Sequence, residues 1–90
     1  MKDYPKGVLR VYDNGGKTAD RYTVYYSRRV APAQPPFHSC LGMSENPTHP
    51  QGFGQHSEGQ LGRHNGKLIP FSSLPLICQQ CAQEDLRGIS

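Results

Sequence analysis

Tryptophan is absent from this 90-residue chain, and large apolar residues are scarce. Leu, Ile, Val and Phe together make 17 residues, or 19%. That is the margin below which chains stop burying enough apolar surface to fold. The formal net charge is only +3, too small for self-repulsion to drive disorder. No run of 18 apolar residues exists, so no membrane-spanning helix is expected. The opening MKDYPKGVLRVYD has no apolar core of a signal peptide. Three cysteines, at 40, 78 and 81, are an odd count and a poor disulfide framework. Together these absences predict free thiols in a reducing cytoplasm, with no membrane partner. They also limit the chain, at this length, to a single domain over 1–90. A core this thin gains from a staple: a metal, a partner or a second copy in a homo-oligomer.

What is present is unevenly placed. Residues 1–29 carry seven basic and three acidic side chains, a net of +4, and the remaining 61 residues net −1. VLRVY (8–12) and DRYTVYYS (20–27) are rich in Val, Tyr and Thr and predict two strands. DNGGKTA (13–19) between them carries Asn-Gly, the strongest short hairpin signal, because both central positions of the tightest hairpin turn need positive φ. The link is too long for a two-residue turn, so a wider loop or a bulge is expected. Alternation places Tyr22, Val24 and Tyr26 on one face, with Leu9 and Val11 as their expected partners. Arg28, Arg29 and VAPAQPP then predict an exposed turn.

FHSCLGMS (37–44) predicts a third strand, with Phe37, Leu41 and Met43 on one face and His38 and Cys40 on the other. Residues 44–67 hold five glycines, two prolines and three histidines, with only Phe53 and Leu61 as large apolar groups. This composition predicts a long Gly/His-rich loop, and long loops inside compact domains are usually functional. LIPF (68–71) predicts a short edge segment. Beyond it Leu74, Ile77, Cys78, Cys81 and Ala82 recur at helical spacing. Ser72 and Ser73 offer an N-cap, Pro75 suits the first turn and Gly88 a C-terminal stop, so a helix is expected over about 74–87. The fold class is α+β: a small antiparallel sheet (8–43), a long loop (44–67), then an edge segment and a helix packed on the sheet (68–89).

Four constellations carry possible chemistry. Asp13, Asn14, Lys17, Asp20, Arg21 and Tyr22 make the hairpin link dense in polar groups. Internal Asx-turns would use some of them, and the rest would form a contact surface with His49 and His56 of the 44–67 segment. The same histidines, set against Asp13 or Asp20, would serve a small metal-dependent hydrolase. Lys17, Arg21, Tyr25, Arg28 and Arg29 mix aromatic and basic groups as single-strand nucleic-acid binders do. His38, Cys40, Cys78 and Cys81 would supply a Cys3His set for a structural zinc, although the strand alternation turns His38 and Cys40 away from the helix. GGKT (15–18) is not a phosphate loop, because Val11 stands where that motif needs glycine.

VYDNGGKTADRYTV (11–24), GMSENPTHPQGFGQH (42–56) and LPLICQQCAQEDL (74–86), taken together, resemble a group of uncharacterised small proteins of bacteriophages, prophages and related mobile elements. The resemblance spans most of the chain outside 28–41 and 57–67. It implies a bacterial cytoplasm and an accessory role, and attaches no reaction. The expectation is therefore a non-enzymatic binding protein that contacts a host or phage protein through the 13–22 loop and the 44–67 segment, with no cofactor. Nucleic-acid binding through the basic hairpin is the alternative. A zinc-stapled fold or small metal-dependent hydrolase is the second.

Overall fold

A computed structural model describes residues 4–46 and 54–89. Among these described residues five strands form one antiparallel sheet, and one α-helix packs across it. The strands are β1 (Val8–Asp13), β2 (Tyr22–Ala31), β3 (Phe37–Met43), β4 (Gly54–Gln60) and β5 (Lys67–Leu68), and the helix α1 is Leu76–Ile89. Their spatial order is β4-β3-β2-β1-β5. The first four strands are thus a meander, and the chain must cross from the β4 edge to the β1 edge before β5. Among the described residues no helix is long and apolar enough to cross a membrane.

The core lies between the sheet and α1. Tyr22, Val24 and Tyr26 of β2 meet Leu41 and Met43 of β3, with Phe71, Leu74, Cys78 and Ala82 above them. Fully burying a side chain the size of Val or Met is worth roughly 1.5–3 kcal/mol. Val11, Val24 and Met43 are all completely buried. Ala82 is the close-approach position: its small side chain is buried, and its carbonyl accepts the Tyr26 hydroxyl at 3.3 Å.

The crossing segment covers part of the opposite face. There Tyr12 and Tyr25 meet edge to face at 5.8 Å, beside Cys40 and Leu61. The Tyr25 hydroxyl donates to Asn65 Oδ1 at 2.8 Å, and Gly62 N–H donates to the Tyr12 hydroxyl at 3.3 Å. A single-turn helix at Arg63–Asn65 is fixed in this way before the chain enters β5.

The structure corrects several expectations. The 44–67 segment is not one loop, since Gly54–Gln60 is a strand in unbroken register with Phe37–Met43. β2 continues through Arg28 and Arg29 to Ala31, so the Pro-rich turn starts later than expected. The β1–β2 register slips between Val8 and Arg10, which leaves Leu9 as the extra residue of a bulge. Val8 and Val11 therefore face the helix, where simple alternation names Leu9 and Val11. The edge segment pairs as Lys67–Leu68, not 68–71. The helix starts at Leu76, and its first amide bonds run to the Pro75 carbonyl. Ser72 and Ser73 belong to a separate turn of 3-10 helix. Ile77 is 46% exposed rather than core, and Gly88 lies inside the helix rather than ending it.

Candidate functional site

Asp13 ends β1, and the link to β2 reverses through Gly15 (φ 76°) and Gly16 (φ 90°). Two consecutive positive φ values explain why both positions are glycine. The Asx chemistry follows from the neighbours. Asp13 Oδ1 accepts Gly15 N–H at 2.8 Å, and Asn14 Oδ1 accepts Gly16 N–H at 2.8 Å and Lys17 N–H at 3.1 Å. The other end of the Asn14 amide donates to Thr18 Oγ1 at 2.9 Å and to the Asp20 carbonyl at 3.0 Å. One side chain therefore ties both sides of the loop together.

Arg21 fixes this loop to the next segment of chain. Its Nε and Nη2 donate to the two carboxylate oxygens of Asp13 at 2.8 and 3.2 Å, a forked pair. Its Nη1 donates to Glu45, just beyond β3, and its guanidinium lies 5.2 Å from the Tyr22 ring centroid. The Arg21 hydrogen bond holds the Asp13 carboxyl below the usual aspartate range, against the opposing effect of burial. The two carboxylates in turn hold the guanidinium charged. Behind Glu45, buried Ser44 accepts Asn46 N–H at 3.0 Å, and its carbonyl receives the Cys78 thiol of α1 at 3.7 Å.

Gly16, Lys17, Thr18, Ala19 and Arg21 form one wall of a cleft of about 560 Å³, and Ser44, Glu45 and Asn46 form the other. Lys17 and Thr18 are exposed on its rim. The cleft is open and polar, with fixed walls and one long ammonium side chain. That arrangement can recognise a surface rather than enclose a small molecule.

Asp13, Asn14, Lys17 and Arg21 are thus brought together as the sequence suggests. The Asp20 backbone joins them through its carbonyl, but its carboxylate does not. Its carboxylate lies over Gly42, where an added Cβ would stand 2.9 Å from Oδ2, and it lines a second concavity of about 310 Å³ with Tyr25, Cys40 and Ser57. Tyr22 is buried in the core beneath Arg21. His49 lies outside the described residues. His56 sits on β4 and turns to the helix, with Nδ1 3.0 Å from Asp85 Oδ2 and its ring stacked on Tyr26 at 6.5 Å. The pairing of His56 with Asp13 or Asp20 expected for a hydrolase is therefore not formed, because α1 supplies the carboxylate. Glu45, Ser44 and Asp85 are the residues that sequence reasoning missed. SEN directly after a strand is a turn signal that could have pointed to the first two.

The nucleic-acid set does not form one surface. Tyr25 is 2% exposed and hydrogen-bonded to Asn65, so its ring is not free to stack on a base. Arg28 and Arg29 lie on β2 seven and eight positions beyond Arg21, which directly precedes the strand, roughly 23–26 Å away at about 3.3 Å per residue. The Cys3His set is not assembled either. Cys40 belongs to the cluster with Tyr12 and Tyr25, and Cys78 to the core beneath α1, so the sheet stands between them. His38 is buried, with Nδ1 3.0 Å from the Tyr26 carbonyl. Burial pushes the Cys40 and Cys78 thiols up to about 11 and raises Cys81 as well. Among the described residues no group of three or more His, Cys, Asp or Glu side chains is placed to hold a metal ion.

No family model, curated protein or solved structure matches this chain.

Proposed function

We propose that this protein is a non-enzymatic binding module, an accessory protein of a phage or mobile element that acts in the cytoplasm of a bacterial host. Its contact surface is the cleft between the 13–22 loop and the start of the 44–67 segment, and its partner is a host or phage protein. The single observation that supports this reading is the double engagement of Arg21. By bonding Asp13 and Glu45 together, it makes two loops that are distant in sequence into fixed walls of one open cleft. Pre-organised loops on a rigid sheet lose less entropy on binding than loops that must first be ordered. The charges inside the cleft largely cancel, which leaves Lys17 to meet an acidic group on the partner.

The test compares wild type with the rim variant K17E as baits in host and phage-infected lysates. The Lys17 side chain is exposed and the loop uses only its backbone N–H, so the variant keeps the fold. A stoichiometric partner held by wild type and lost by the variant supports the reading. Identical captured sets overturn it.

A further inference from the structure

β4 is an open edge. One side of Gly54–Gln60 pairs with β3 over seven positions without a register shift. Among the described residues its other side pairs with no strand, and Gly54 through Glu58 are exposed. Proteins usually protect such edges by shortening them, by bulges, or with proline or lysine. The opposite edge does so: β5 is two residues long and carries Lys67. β4 is seven residues long, pairs with β3 without a bulge and holds neither proline nor lysine; its charged side chain is Glu58.

The sequence of this edge is complementary to itself when run antiparallel. With Ser57 at a two-fold axis, Ser57 faces Ser57, and His56 of each copy faces Glu58 of the other. The pattern is therefore satisfied twice by one operation, as a closed two-fold contact requires. Alternation places positions 56 and 58 on one face of the strand. Glu58 also borders the concavity formed with Asp20, Tyr25 and Cys40. Asp85 already orients the His56 ring through Nδ1, and the protonated ring has Nε2–H to donate to a second carboxylate.

We infer that β4 is the interface of a homodimer, in which two copies pair antiparallel about Ser57 and continue their sheets into one of ten strands. This surface is separate from the cleft proposed to bind a partner. Directly opposed unlike charges favour such pairing, and like charges oppose it.

Sedimentation equilibrium across a concentration series, with amide exchange of Gly54–Gln60 at each concentration, tests the inference. Wild type should show a reversible monomer–dimer equilibrium, with β4 amides protected as the dimer fills. E58K places lysine opposite His56 on both sides of the axis and should weaken the dimer by about tenfold. H56K keeps a positive charge against both Asp85 and Glu58 and should retain the dimer. A wild-type protein that stays monomeric into the millimolar range overturns the inference. So does a dimer that is indifferent to E58K and leaves the β4 amides unprotected.

Discussion

Arg21 grips Asp13 through two parallel hydrogen bonds, Nε to Oδ1 at 2.8 Å and Nη2 to Oδ2 at 3.2 Å, at the turn end of the first hairpin. The third guanidinium nitrogen is given to Glu45. Lysine offers one point charge and cannot make this fork. R21K should therefore keep the hairpin but release the 44–46 segment. The expected result is faster amide exchange over 14–19 and 44–46, with β2 and β3 unchanged. Uniformly unchanged exchange would show that Arg21 does not hold the cleft.

Asp13 gives that contact an acid limit. Its carboxyl is held below the ordinary range, first by the Arg21 hydrogen bond, whereas an unfolded aspartate titrates near about 3.9. A carboxyl lowered in the folded state adds stability above the unfolded value and loses it as pH falls through the folded one. Urea unfolding of wild type and D13N should show a constant gap above about pH 5. Below about pH 4 the gap should narrow.

Two glycines of the same backbone hand should respond very differently to alanine. At Gly66 (φ 114°) a Cβ would stand 2.5 Å from the Asp13 carbonyl oxygen and 2.6 Å from Asn14 Cα, both backbone atoms. At Gly15 (φ 76°) a Cβ would meet nothing within 4 Å. G15A should cost only the left-handed strain, about 1–2 kcal/mol. G66A adds a backbone clash and should cost about 3 kcal/mol or more. Denaturant midpoints at constant m-value check both.

The Tyr25 hydroxyl joins the sheet to the crossing segment through Asn65. Y25F keeps the ring packed on Tyr12 and removes that donor, so a loss of about 1–2 kcal/mol is expected. Faster exchange should be confined to residues near the 63–65 turn.

Thiol chemistry should follow burial. Cys40 and Cys78 are buried and raised to about 11, whereas Cys81 is half-buried. Since the thiolate is the reactive form, an aromatic disulfide reagent at pH 8 should titrate Cys81 first and the other two only on unfolding. Prompt reaction of all three would contradict the packing described for the two faces of the sheet.

The parts legible in the sequence were those governed by local rules. Asn14-Gly15 marked the hairpin, alternation placed Tyr22, Val24 and Tyr26 on the core face, and helical spacing placed Cys78 and Ala82 in the core. β4 was not legible, because GQHSEGQ contains no β-branched or aromatic residue, and its strand geometry comes from pairing with β3. The bulge at Leu9 is invisible to period-2 reasoning, which assumes an unbroken register. Ile77 fits the helical stripe, yet it lies in the first turn of α1 and remains exposed. At the site, Asp13, Asn14, Lys17 and Arg21 were readable as one cluster because they share a loop. Glu45 and Asp85 were not, since they meet Arg21 and His56 across 24 and 29 positions of chain.

Amide exchange of the protein with and without the partner recovered by wild-type bait tests the binding account most directly. The account predicts protection over 14–19 and 44–46, with the rest of the sheet unchanged. Protection elsewhere, with those two segments exchanging as in the free protein, would contradict it.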